Sequence, residues 1–213
     1  MASAFMPRQA IIYVDGFNLY FGALRGTPYR WLDLSLLCHH LLPENAVTQI
    51  RYFSARVSAR PKDLDAPMRQ ETYWRALRTI PHLEIFQGQF TSHIKSMPLV
   101  KPIDGAETVK VISTQEKGSD VNLASHLLLD AFRERFDVAV VVSNDSDLVT
   151  PIRMVRDEFR KTVGILNPHP SPSRALQKVV SFYKPIREGV LQLSQFPPTL
   201  TDARGTFHKP EAW

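Results

Sequence analysis

The chain has 213 residues, 44% hydrophobic and 22% charged, with 26 lysines and arginines against 21 aspartates and glutamates for a formal charge of +5. That balance belongs to a globular chain with one sizeable core; it excludes extended disorder and a fibrous repeat, and no apolar run nears the ~18 residues of a membrane span. The single cysteine, Cys38, rules out an internal disulfide, the amino terminus lacks the apolar centre of a secretory signal, and a cytosolic location is the expectation. The excess of positive charge suits a polyanionic partner.

Taken in order, Ala10-Ile11-Ile12-Tyr13-Val14 is a short apolar run without alternation, as a strand covered on both faces requires, and it stops at Asp15-Gly16-Phe17-Asn18. The leucines from Leu32 to Leu42 predict a helix ending near Pro43, on which the neighbouring His39 and His40 fall on different faces and so do not pair as ligands. Val47 to Ala55 reads as a second strand. A basic loop follows, in which Arg56 and Arg60 lie just past a strand's carboxyl end where they could hold phosphates, and then a helix over 66–79. Leu83 to Phe90 reads as a further strand, leading to an irregular stretch broken by Pro98 and Pro102; Asp104-Gly105 ahead of Thr108-Val109-Lys110-Val111-Ile112 suggests a hairpin or flap.

Lys117-Gly118-Ser119-Asp120 opens a helix with Leu123, Leu127 and Ala131 at helical spacing. His126 on that helix reads as packed. Val138 to Val142 is the clearest buried strand and ends abruptly at Ser143-Asn144-Asp145-Ser146-Asp147 before another helix. Thr162 to Leu166 is the last clear parallel strand, followed by the proline-rich loop 167–173, a short helix over 174–182 and an edge segment at Tyr183 to Ile186. The alternation predicts an α/β fold, a doubly wound and mostly parallel sheet flanked by helices with a hairpin or flap insertion. One domain is expected over 10–190, and residues 191–213 read as a mobile tail unless Phe207 or Trp213 docks.

Ligands of such sheets lie beyond the carboxyl ends of the strands, which brings Asp15, Asp120, Asp145 and Asp147 to one edge. Helix capping accounts for one polar residue per segment but not for acids recurring in three segments. Clustered carboxylates raise one another's pKa unless a cation compensates, and an all-oxygen set selects Mg²⁺ or Mn²⁺ over zinc, for which no Cys and His spacing exists. A glycine-rich dinucleotide loop is absent after the first strand, and Asp15-Gly16-Phe17 lacks the Asp-x-Asp of an aspartyl phosphatase.

The segments Ile12-Tyr13-Val14-Asp15-Gly16-Phe17-Asn18-Leu19, Lys117-Gly118-Ser119-Asp120-Val121-Asn122-Leu123 and Val142-Ser143-Asn144-Asp145-Ser146-Asp147-Leu148 together resemble the three signatures of the NYN domain, in the LabA-like branch of the PIN-like nucleases. The resemblance implies a PIN-like fold and a metal-dependent ribonuclease, with single-stranded RNA as its partner. It implies Asp15, Asp120 and Asp145 as catalytic metal-binding carboxylates, Asp147 as a further acid of that set, and Asn18 and Ser143 as polar groups that shape the catalytic site; Ser143 and Asn144, leading into the acids, are the candidates beside the substrate. Asn144 and Leu148 stand where the family often has Gly and Phe. Lys117, Arg56 and Arg60 are the candidates for holding the backbone. Hydrolysis by a metal-activated water would leave 5′-phosphate products. A non-catalytic RNA- or protein-binding module using the same acidic cleft is the alternative, and a homo-oligomer is left open.

Overall fold

The computed structural model describes residues 7–59, 61 and 63–213. Its main sheet has seven strands in the order β4-β3-β2-β1-β5-β6-β7. In chain order these are β1 (Arg8–Asp15), β2 (Asn45–Ala55), β3 (Leu83–Ile103), β4 (Ala106–Lys117), β5 (Val138–Val142), β6 (Thr162–Asn167) and β7 (Phe182–Pro185). All neighbours pair in parallel except β3 with β4. The predicted doubly wound α/β sheet is therefore the observed one, because each parallel return needs a crossover and the crossovers supply the helices.

Alternate residues of the central strands feed two cores. Ile12, Val14, Ile50, Val140 and Val142 face one side, with α2 (Leu34–Leu41) and α3 (Ala66–Leu77) packed there through Leu37, Cys38, Trp74 and Leu77. Ile11, Tyr13, Phe53, Ala139, Val141 and Ile165 face the other, under α4 (Ser119–Phe132) and α5 (Val149–Asp157), whose Leu123, Leu127, Ala131, Ile152 and Val155 complete that core. Burial on both faces is why these strands show no polar alternation.

One charged group lies inside this second layer. Asp130 on α4 is fully buried, held by Arg51 (2.8 Å), by Arg135 (3.1 Å) and by the Tyr13 hydroxyl, which donates at 2.8 Å. The sequence gives no hint of it, since Asp130 ends an apolar helix and Arg51 sits in a strand. Tyr13→Phe removes a donor to a buried carboxylate that keeps both arginines, and should cost about 2 kcal/mol in urea unfolding. His126 packs on the Phe86 ring at 4.2 Å, in keeping with its reading as a packed residue.

The stretch expected to be irregular is instead one continuous strand. β3 pairs with β2 only as far as Gly88; from Gln89 onward it pairs with β4 alone, and the two form a long arm. Along the arm β3 has β4 on one side only among the described residues, and an edge strand tolerates Pro98 and Pro102 where a central one would not. The arm turns at Asp104-Gly105, both at left-handed φ (48° and 78°), the geometry of a tight two-residue hairpin. The helix expected over 174–182 is shorter, α6 (Arg174–Gln177), and β7 follows it.

The carboxyl-terminal segment forms α7 (Glu188–Leu193) and the hairpin β8 (Thr199–Asp202) and β9 (Gly205–His208). Both aromatic residues on which its docking depends are engaged. Phe207 and Trp213 pack edge-on against the fully buried Trp31 ring, and Arg75 grips the Asp202 carboxylate with two hydrogen bonds while lying 4.1 Å from the centre of Phe207. Among the described residues no helix is long and apolar enough to cross a membrane.

Candidate active site

The site is assembled where the central strands end together. Val14, Val142 and Leu166 lie side by side in register. The two-residue period of β1 then puts Asp15 on the same face as Ile11 and Tyr13, towards α4. Gly16 turns the chain sharply out of the strand; a Cβ there would come within 2.6 Å of the Tyr52 ring and 2.9 Å of the Phe53 carbonyl, so only glycine lets α1 (Gly16–Leu19) lie this close to β2.

Asp15 is only 6% exposed. Its Oδ1 accepts the Asn18 backbone N–H (2.9 Å) and its Oδ2 the Ser143 hydroxyl (3.2 Å). Burial is the main force raising its pKa from 3.8 to about 6, aided by the charges of Asp120 and Asp145 and opposed by those two hydrogen bonds.

Asp120 sits in the first turn of α4, where the preceding Gly118 takes a left-handed φ of 99° and the first free N–H, that of Ser119, is accepted by the Glu116 carboxylate at 3.2 Å. Capping, the rival explanation for Asp120, is therefore not its role. It stands at the rim, with one side open to solvent. Loss of hydration on its inner side comes first among the causes that raise its pKa, followed by the charges of Asp145, Glu116 and Asp147.

The segment after β5 is tied to both neighbours. The fully buried Ser143 hydroxyl accepts the Asp145 N–H at 3.1 Å while donating to Asp15, so one oxygen fixes the relative position of two acids. Asp145 caps the following 3₁₀ turn through the Asp147 N–H (2.9 Å). The Asn18 carboxamide oxygen accepts the Asn144 N–H (2.9 Å), and the Asn144 side chain donates to the Ser171 carbonyl (3.0 Å) and accepts the Ser173 N–H (2.7 Å). Ser143, Asn144 and Asn18 are thus braces within the edge, and the expected contact of Ser143 and Asn144 with a substrate has to contend with hydrogen bonds already made inside the protein.

Asp15, Asp120 and Asp145 line one cleft of about 970 Å³. Asp147 is exposed beside the cleft and does not line it. Among the described residues no three acidic, histidine or cysteine side chains already close round one point as a finished ligand shell. The donor set still suits a hard divalent cation, because it is all oxygen and because the burial and, after it, the mutual repulsion that raise Asp15 and Asp120 both disfavour a negative charge that such an ion compensates.

The cations fall differently from the expectation. Arg56 is paired with Glu71 (2.9 Å), lies 5.4 Å from the centre of the Trp74 ring and is not part of the lining; Lys117, exposed at the end of β4, is not part of it either. Arg60 lies outside the described residues. The lining instead includes Arg25, Arg30 and Arg69, together with Phe17, Phe21, Tyr52, Trp74 and Phe90 and, from the loop after β6, His169. Arg25 and Phe21 are the clearest omissions of the sequence reading. Their signal was the four-residue spacing Phe17, Phe21, Arg25 directly after the first acid.

The NYN domain family model matches residues 9–186. The chain is 30% identical to the 6-hydroxy-3-succinoylpyridine 3-monooxygenase HspA of Pseudomonas putida, over 97% of this chain and 76% of that protein. It is also similar to the crystal structure of a protein of unknown function from Vibrio parahaemolyticus, with a TM-score of 0.58 and 19% identity, covering 88% of this chain and 98% of the other; at that identity the likeness concerns the fold. With its three acidic segments inside the matched span and its sheet of the PIN-like kind, the chain belongs to the NYN domain family.

Proposed function

We propose that the protein is a metal-dependent ribonuclease that hydrolyses phosphodiester bonds of single-stranded RNA. The observation that carries this reading is the meeting of Asp15, Asp120 and Asp145, from three separate elements, in one cleft where the carboxyl pKa of Asp15 and of Asp120 is raised. These three would hold Mg²⁺ or Mn²⁺, and Asp147 would add negative charge from just outside. When bound, the ion would supply Lewis acidity towards the phosphate and make water a competent nucleophile near neutral pH. The chain's own groups do the positioning. Asn18 and Ser143 aim the Asp15 carboxylate, Ser143 sets its distance from Asp145, and Asn144 locks the acidic turn to the loop 167–173.

Attack by water rather than by the ribose 2′-hydroxyl fixes the products. An RNA oligonucleotide with one 2′-deoxy nucleotide at the scissile position should be cut as the all-ribose strand is, leaving a 5′-phosphate on the downstream fragment in end-group analysis. A cyclic phosphate, or resistance of the 2′-deoxy strand, contradicts the reading. Salt-sensitive RNA binding without cleavage under Mg²⁺ or Mn²⁺ would make the chain the non-catalytic binding module.

A second reading rests on the aromatic side of the cleft, where the half-buried Phe17 and Phe90 line the space, and on the relative that acts on a hydroxylated pyridine. Under it, 6-hydroxy-3-succinoylpyridine should bind wild-type protein in a calorimetric titration and RNA should not.

A further inference from the structure

We propose that Phe21 and Arg25 form a docking element for a planar heteroaromatic ring carrying an anionic group; given the nuclease reading, on which this identification rests, the ligand is one nucleotide of the single-stranded RNA, its base on Phe21 and its phosphate on Arg25.

The element is built by an irregularity in the chain. After the single turn of α1, residues Tyr20–Leu24 widen into a π turn, closed by the Arg25 N–H donating to the Tyr20 carbonyl five residues back at 2.8 Å. Such turns are rare and recur at functional sites. Here the turn sets Phe17, Phe21 and Arg25 in sequence along the cleft wall. The Phe17 and Phe21 rings lie near parallel, 21° apart with centres 6.4 Å apart, and the Arg25 guanidinium is 5.5 Å from the centre of Phe21. Phe90, from the arm, meets Phe17 edge-on at 5.5 Å and holds it. On the far side a Cβ at Gly22 would fall 2.6 Å from the His169 ring, so the turn is seated directly against the loop that Asn144 braces.

A single exposed phenylalanine is ordinary. Phe21 differs because it is 55% exposed beside a ring that is itself pinned, and because it lines the same cleft as Asp15, Asp120 and Asp145. The neighbouring cations are already engaged, Arg69 by Asp63 and Arg30 by the Ala212 carbonyl. Arg25 takes part in none of the ion pairs among the described residues. A cation lying on an exposed ring, in the cleft that the three acids also line, matches a ring with an anion attached. An all-apolar ligand would leave Arg25 without a counter-charge, and a plain phosphate would leave Phe21 bare.

The test is fluorescence anisotropy of a short single-stranded RNA with the full chain in chelator, so that nothing is cut, repeated with an abasic site moved along the strand. Wild type should lose about tenfold in affinity when the abasic site reaches one position, the worth of one stacked base. Phe21→Ala should lose about tenfold on intact RNA and show no further loss for the abasic strand at that position; Phe21→Tyr should behave as wild type, and Arg25→Ala should flatten the salt dependence. Thermal unfolding checks that the variants are folded. Equal losses for Phe21→Ala on intact and abasic strands, or none, would overturn the docking element while leaving metal-dependent cleavage intact. Titration of a pyridine carboxylate distinguishes the ligand's source. If it binds wild type but not Phe21→Ala while RNA binds neither, the docking element stands and the nuclease reading falls. If neither probe binds wild type, the docking element is overturned.

Discussion

Asp145→Asn is expected to lower the cleavage rate by on the order of 10³-fold or more while the protein stays folded. The loss follows from charge: an amide keeps the shape of the side chain but cannot help hold a divalent ion, whose transition-state stabilisation is worth several kcal/mol, at about 1.36 kcal/mol per tenfold. Survival of the fold follows from the local structure. Asp145 caps its turn by accepting the Asp147 N–H, and asparagine is an equally good cap. Its charge also raises the pKa of both Asp15 and Asp120, so removing it relieves repulsion in the metal-free protein. Rates with Mg²⁺ and Mn²⁺, set beside urea unfolding in chelator, measure both halves. Equal cleavage by the variant and wild type would place the chemistry elsewhere.

Asp15→Asn should stabilise the metal-free protein at neutral pH, by at most roughly 3 kcal/mol, the linkage energy of a buried carboxyl moved from 3.8 to about 6. The sign follows from proton counting. Below 3.8 the carboxyl is protonated in both folded and unfolded chains and imposes no penalty. Between 3.8 and 6 the unfolded chain has released a proton that the folded chain keeps, so stability falls as pH rises through this window; above 6 the full penalty stands. Wild type should therefore lose stability from pH 4 to 6.5 relative to Asp15→Asn, and the gap should stay constant above. Urea midpoints of both proteins across that range, in chelator, provide the measurement, and parallel profiles would show that the buried charge carries no such penalty. The variant keeps an acceptor for the Asn18 N–H, while its amide must donate to the Ser143 hydroxyl that the carboxylate accepted from, a reversed hydrogen bond that takes part of the gain and makes about 3 kcal/mol the ceiling.

The parallel core was legible because β1, β5 and β6 are unbroken apolar runs that stop at polar residues, and because strand ends converge whatever the loops do. Asp15 and Asp145 were legible for the same reason. The arm was not: Pro98 and Pro102 look like breaks, and only the pairing shows that β3 has an open edge there. Arg56 was legible as a cation but not as the partner of Glu71, since an ion pair between a loop and the next helix depends on where that helix points. The Asp130, Arg51 and Tyr13 cluster joins residues up to 117 positions apart and leaves no local pattern. The π turn is equally hidden, because one extra residue in a helical turn changes hydrogen bonding and not composition. Docking of Phe207 and Trp213 on Trp31 likewise depends on contacts across nearly the whole chain.

The direct test of the acidic cleft as a metal site is Mn²⁺ uptake, followed as loss of the free-ion signal in electron paramagnetic resonance. Wild type should take up Mn²⁺ at pH 7.5 and release it to excess Mg²⁺, with affinity falling as pH drops below about 6, where Asp15 takes up a proton. Both Asp15→Asn and Asp145→Asn should weaken the uptake by at least about tenfold. Uptake unchanged in both variants, or none by wild type, would contradict a metal held by Asp15, Asp120 and Asp145.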